Sequence, residues 1–250
     1  DIEGALFPSL SKSRRRTGVL NPGATKSFTS EMQIYVPSGT TNDNQILYQK
    51  YHSQNSAGIT LGLSSSKDKS SPHALADVVM IVTSGTLSLS ASMEIEKGKF
   101  QHVAATWNRK PGNYGLKLYK DFVLETTSSV SRNIAQLDFN ESDFLIGSGS
   151  KHYSYKWNQN ENYFNPVETF SGSIDELRIF HEARKESLQK STAYDSIFAN
   201  KNLKLYYKFN EPTGSYSGNN TVLDSSGNSL HSKITNYAES MRITGSNTVL

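Results

Sequence analysis

The sequence contains no cysteine. That excludes disulfides, thiolate catalysis and zinc–thiolate centres, and it leaves the redox compartment open. No apolar run approaches the ~18 residues that a membrane-spanning helix needs, so no membrane insertion is expected. The chain opens Asp1-Ile2-Glu3-Gly4, acidic and without an initiator Met. No signal peptide is visible there, and the chain reads as processed or cut from something longer. Charge of one sign is also scarce. The 26 Lys and Arg against 23 Asp and Glu leave a formal net charge of +3, too weak a bias to point to nucleic acid. The run Arg14-Arg15-Arg16 reads as a solvated loop.

Aromatics, by contrast, are plentiful. Thirteen Tyr, eleven Phe and two Trp argue against disorder. A chain of 250 residues can bury about three quarters of its unfolded surface, so a sizeable core needs no covalent staple.

The apolar period is two almost throughout. Phe28, Met32, Ile34 and Val36 share one face of 28–36, with Thr29, Glu31 and Gln33 on the other. Ile59, Leu61 and Leu63 repeat the pattern, as do Leu87, Leu89, Ala91 and Met93. Val103, Ala105 and Trp107 alternate with Phe100, Ala104 and Thr106. Leu116-Lys117-Leu118, Phe144-Leu145-Ile146 and Leu205 to Phe209 read as further strands. The unbroken run Val78 to Val82 fits a strand buried on both faces. About ten to thirteen short strands broken by Ser, Gly, Asn and Pro clusters predict an all-β, antiparallel sandwich or barrel. Only 182–199 reads as helix, one or two short turns carrying Ala183, Leu188, Tyr194, Ile197 and Phe198 among charges. Ser64 to Pro72 is polar and low in complexity, and reads as a mobile connection.

Asp175 stands out in Gly172-Ser173-Ile174-Asp175-Glu176-Leu177-Arg178-Ile179-Phe180. Alternation places it on the face of Leu177 and Ile179, with Glu176 and Arg178 opposite. A carboxylate entering a sandwich is costly unless paired or coordinated. It is either a ligand of a hard cation, calcium above all, or a rim carboxylate bonded to backbone amides. A second cluster runs from Phe209-Asn210-Glu211 to Leu223-Asp224-Ser225-Ser226-Gly227-Asn228, where Asp, Ser, Gly and Asn make a tight, oxygen-rich turn.

Three stretches resemble the laminin-G-like members of the concanavalin A-like lectin/glucanase superfamily. Phe100-Gln101-His102-Val103-Ala104-Ala105-Thr106-Trp107 resembles the family strand W/F-x-H-V-A-x-T-W/Y. Phe170 to Phe180 resembles F-x-G-x-I-D-E-V-R-I-Y, and Leu205 to Gly227 resembles the opening Y-W-x-F-D-E … D-S-S-G-N-G. The match spans most of 25–235. The resemblance implies a jelly-roll-like sandwich of two antiparallel sheets, often with a structural calcium, whose ligands would here be Asp175, Asp224, Asn228 and Glu211. Fold resemblance alone does not assign function, because this fold carries lectins, adhesion modules, hydrolases and structural domains.

Two features depart from the family pattern. The opening motif lies at the C-terminal end, while Gly4-Ala5-Leu6-Phe7 resembles the strand that should follow it, and Met241 to Gly245 reaches the same point. The chain is therefore expected to be one sandwich over 1–250 with rotated, permuted strand order: a core at 25–182, a short helix at 183–199, and opening strands from 203–250. The alternative is that 203–250 begins a second repeat. The hairpin at Tyr119-Lys120-Asp121-Phe122 also lacks the family's Gly. A two-residue primed turn needs positive φ, which Phe resists, so a different turn is expected.

Catalysis finds little support. Glu94 and Glu96 share a face, as a glycosidase pair would, but a third acid is missing and Lys97-Gly98 reads as a turn. No zinc-binding His spacing, phosphate loop or nucleophile elbow is present. The segment His152 to Phe164 packs Tyr153, Tyr155, Trp157 and Tyr163 among amides. It is a structural lid, a protein interface or a glycan contact. The expectation is a non-catalytic carbohydrate- or receptor-binding module of an extracellular, cell-surface or virion protein. The alternative is a structural domain that binds neighbouring subunits of a virion or fibre.

Overall fold

The computed structural model describes residues 16–39, 44–54, 56–65, 73–130, 136–137, 139, 142–154, 163–211, 220–235 and 237–238. Tyr155, Trp157, the Gly4 to Phe7 stretch, Met241 to Gly245 and most of the Ser64 to Pro72 connection lie outside them. After a 3-10 turn at Arg16–Leu20, the strands are β1 (Phe28–Tyr35), β2 (Gln45–Tyr51), β3 (Gly58–Ser65), β4 (Leu75–Ser84), β5 (Leu87–Glu96) and β6 (Phe100–Asn108). They continue with β7 (Gly115–Lys120), β8 (Val123–Ser129), β9 (Phe144–Ile146), β10 (His152–Tyr153), β11 (Tyr163–Phe164) and β12 (Ser173–Phe180). Helix α1 (Glu186–Thr192) precedes β13 (Leu203–Tyr207), β14 (Thr221–Val222) and β15 (Ser232–Lys233).

Two antiparallel sheets form the body. One has the order β13-β12-β1-β6-β7-β8, the other β5-β4-β3-β2-β9. The alternation read from the sequence is what makes them stack. Phe28, Met32 and Ile34 of β1, Val103, Ala105 and Trp107 of β6, and Leu177 and Ile179 of β12 share one core with Tyr48, Leu61, Met80 and Met93 of the facing sheet. β4 is buried on both faces because Phe164 of β11 lies over Val79, Ile81 and Ile46 on the far side of its sheet. β13 pairs with β12, and Asp224 bridges to Tyr207, so both segments are bonded into the six-stranded sheet.

Three features differ from the sequence reading. β2 was not legible, because Gln45, Gln49 and Lys50 interrupt its apolar residues; all three are nonetheless buried. Gln49 donates to Thr60 Oγ1 and to Ser150 O, and Lys50 donates to Ser142 O.

The β7–β8 connection is a two-residue turn after all, with Asp121 at φ +48° and Phe122 at φ +68°. Such φ values cost a non-glycine residue of order 1 kcal/mol or more. The Asp121 carboxylate accepts the His102 N–H at 2.9 Å, and the Phe122 ring lies 4.4 Å from the His102 ring, which offsets that cost.

The helix covers only 186–192. It buries Gln189 and leaves Leu188 42% exposed, with Tyr194 and Phe198 beyond it 66% and 90% exposed. The face that apolar spacing would turn inward is therefore turned to solvent.

Candidate functional site

The strand carrying Asp175 is bulged. Gln33 stands opposite Asp175 and Glu31 opposite Arg178, so two residues of β12, Glu176 and Leu177, face Met32 alone. Glu176 takes φ +53° at this point. The extra residue resets the alternation. Ile174 packs on the core with Leu177 and Ile179, while Asp175 shares the outer face with Gln33. The expected placement of Asp175 beside Leu177 and Ile179 is thus overturned. Burial and the neighbouring Glu176 carboxylate raise its pKa to about 6, against the pull of the Glu176 N–H and of Arg178.

Asp224 is a turn organiser. Its Oδ1 accepts the N–H of Tyr206 at 3.0 Å and of Ser226 at 2.9 Å. Its Oδ2 accepts Ser226 Oγ at 2.8 Å and the Leu230 N–H at 2.9 Å. Those four bonds use the acceptor capacity of a carboxylate. Asn228 turns its Nδ2 to the carbonyls of Leu203 and Lys204, both at 3.1 Å, so those oxygens are taken too. Glu211 accepts the Leu223 N–H at 2.7 Å. β13 lies between Asp224 and the strand of Asp175. The oxygens of Asp224 are thus engaged by protein donors, and no group of three or more His, Cys, Asp or Glu among the described residues is disposed to hold a metal. The two segments do meet at one sheet edge, but through backbone hydrogen bonds.

On the far side of the five-stranded sheet, β10 and β11 form a short ladder. Tyr153 and Tyr163 are in register, their rings edge-on at 6.2 Å. Lys151 Nζ lies 3.3 Å from the centroid of Tyr163 and 5.2 Å from that of Tyr153, a cation–π pairing that sequence reading missed. The ladder is anchored from below by buried His152, whose Nδ1 meets Thr60 Oγ1 at 2.7 Å and whose Nε2 meets Thr83 Oγ1 at 2.9 Å. Burial lowers its pKa to about 3, so the ring is neutral. The result is a half-buried aromatic pair with a cation, set on a rigid base and joined to 155–162, which carry Tyr155 and Trp157. Glu94 and Glu96 share the solvent side of β5, as alternation predicts, and Glu96 pairs with Lys99 at 2.9 Å.

A third cluster was not legible. On the outer face of the six-stranded sheet, Glu31, Gln33, His102 and Arg178 are buried beneath residues 181–199. Arg184 donates Nε to Glu31 Oε1, and Arg178 NH1 donates to Thr192 O at 2.6 Å. In the sequence these residues occupy the polar positions of alternating strands, which read as solvent-facing.

The comparisons with known proteins follow the fold. The family model Laminin_G_3, described as the concanavalin A-like lectin/glucanases superfamily, matches residues 16–187. No curated protein matches the chain. Among solved structures, a candidate carbohydrate-binding protein from Bacteroides ovatus is similar at 21% identity and a TM-score of 0.53, covering 82% of this chain and 51% of that one. The chain thus spans about half the length of that protein, and at this identity the likeness is one of fold. Ruminococcus gnavus IT-sialidase CBM40 bound to α2,3-sialyllactose aligns at 14% identity and a TM-score of 0.45, over 68% of this chain and 84% of that one. Mouse laminin α1 domains LG4-5 align at 13% identity and a TM-score of 0.41, over 68% and 42%. With the sandwich, its two sheets and a family match over 16–187 in agreement, the chain belongs to the laminin-G-like branch of the concanavalin A-like lectin/glucanases superfamily.

Proposed function

We propose that this chain is a non-catalytic recognition module of a larger extracellular, surface or virion protein, and that it binds glycan through the β10–β11 face. One observation carries the reading: Tyr153 and Tyr163 stand side by side, half-buried, with Lys151 against both rings. Aromatic faces pack on the apolar side of a sugar ring, and a neighbouring cation and amides bind its oxygens. In this reading 1–250 is one permuted sandwich, supported by the pairing of β13 with β12. Glycan-array binding of the wild type against Tyr163→Ala and Trp157→Ala tests it. The expected result is a glycan signal lost by at least about tenfold in both variants. No signal from the wild type, or one unaffected by either change, overturns it.

A protein partner is the second reading, whether a receptor or a neighbouring subunit. It is favoured by Phe198 and Tyr194, which stand 90% and 66% exposed on one segment. Sedimentation of the wild type against Phe198→Ser, expected to abolish self-association, tests the subunit form.

A further inference from the structure

The cluster beneath residues 181–199 is over-supplied with polar atoms. Glu31 Oε2, Gln33 Nε2, His102 Nδ1, Arg178 Nε and Gln189 Oε1 are buried without hydrogen-bond partners. All five residues are more than nine-tenths buried. Four of them sit at adjacent register positions: Glu31 opposite Arg178, and Gln33 opposite His102. Gln189 comes from α1 above them. A buried polar group without a protein partner is costly, and five of them share this one covered face.

The covering segment is attached mainly through polar bonds rather than apolar packing. Its large apolar side chains, Leu188, Tyr194 and Phe198, face solvent, and its buried apolar contribution is Ala193 with half-buried Ala183 and Ile197. It is held instead by Arg184 on Glu31, by Arg178 on the carbonyls of Thr192 and Asp195, and by Thr29 Oγ1, which donates to Glu182 O at 2.7 Å and accepts the Arg184 N–H at 3.2 Å. A segment with few apolar contacts opens at a fraction of the global unfolding free energy.

We infer that this outer sheet face is a second, covered binding site, for a neutral polyhydroxylated ligand such as a sugar ring, reached when the 181–199 strap lifts. The atom types set the ligand class. Gln33 Nε2 and Arg178 Nε donate, Glu31 Oε2 and Gln189 Oε1 accept, and His102 Nδ1 does either by tautomer. A hydroxyl donates and accepts at once. An anion would meet Glu31, Asp175 and Glu176, and a cation would meet Arg178 and Arg184. Phe122, packed on the His102 ring at 4.4 Å, offers an aromatic flank.

The test uses the whole chain, a panel of neutral monosaccharides (glucose, galactose, mannose, N-acetylglucosamine), ligand-observed NMR and hydrogen exchange. At least one sugar is expected to bind the wild type and Tyr163→Ala equally, because Tyr163 lies over the other sheet. Binding is expected to vanish in Gln33→Leu, which removes an unpartnered donor and should keep or raise the thermal midpoint. Amides of 186–195 should exchange faster at saturating sugar, since the ligand selects the lifted strap. Absence of binding by every sugar, binding that survives Gln33→Leu, or strap exchange unchanged by sugar each overturns the inference. Loss of binding in Tyr163→Ala alone would assign the sugar to the β10–β11 face and overturn it as well.

Discussion

The guanidinium of Arg184 donates through Nε to Glu31 Oε1, and both side chains are almost wholly shielded from water. Glu31 lies on β1, at the centre of the sheet, and Arg184 opens the strap that covers it. Burial raises the Glu31 pKa while Arg184 opposes that rise, so the carboxylate depends on its partner. Arg184→Ala is expected to cost about 3–5 kcal/mol, because it strands a buried carboxylate. The double change Glu31→Leu with Arg184→Met should recover most of that loss. Urea denaturation of the three proteins checks it. A single variant no less stable than the double one would show that the pair does not hold the strap.

Asp224 supplies a second prediction. Three of its four bonds come from backbone N–H groups, which lose their partner in Asp224→Ala. The expected cost is at least about 3 kcal/mol, read from thermal or urea unfolding. Since the same oxygens are committed to these donors, chelation by EDTA should leave the midpoint of the wild type unchanged. A bound ion well above its dissociation constant would instead contribute a few kcal/mol and reveal itself as a drop.

Acid should destabilise the protein early. Burial lowers the pKa of His102 and His152 to about 3 and that of His181 to about 4. Below the unfolded value near 6.5, the unfolded chain takes up protons that the folded chain refuses. Their contribution is complete above about pH 6.5 and is lost as the pH falls toward 4 and 3. Asp175 has the opposite sign. With a folded value of about 6 against 3.8, it favours the folded state at low pH and loses that as the pH rises through 6. Glu31, whose pKa burial also raises, acts in the same sense, and three histidines outweigh these two carboxylates. Between pH 6.5 and 5 each histidine removes up to about 2 kcal/mol, and Asp175 returns about 1. Urea midpoints measured across that range should fall steadily. A flat profile would contradict the burial of these rings.

Gly62 tests the cover on the other sheet. A Cβ there would stand 2.7 Å from Gln45 O and 2.8 Å from Phe164 Cζ. Backbone on one side and a buried ring on the other leave little room to yield. Gly62→Ala should therefore cost about 1–3 kcal/mol and loosen the β10–β11 ladder, seen as faster exchange at Phe164.

Much of this architecture was readable in one dimension. Period-two alternation is a local property, and it marks β1, β3, β5, β6, β7 and β12 in the sequence itself. The continuous run in β4 likewise announced a strand covered on both faces, and three motifs placed the chain in its family. What alternation cannot report is what lies over a face. Gln45, Gln49 and Lys50 hid β2 because their partners, Thr60, Ser142, Ser150 and Glu168, come from elsewhere in the chain. The bulge at Glu176 moved Asp175 to the outer face, since one extra residue inverts every side chain before it.

The amino-acid order by itself determined the two-sheet body and the family, because both rest on short-range patterns of apolar residues and turns. Only the tertiary structure decided that Glu31, Gln33, His102 and Arg178 are buried, that Phe122 accepts a left-handed φ beside His102, and that Asp224 ties a turn to β13. Each of these depends on a surface supplied by a segment distant in sequence, and a distant surface leaves no mark on the local pattern it covers.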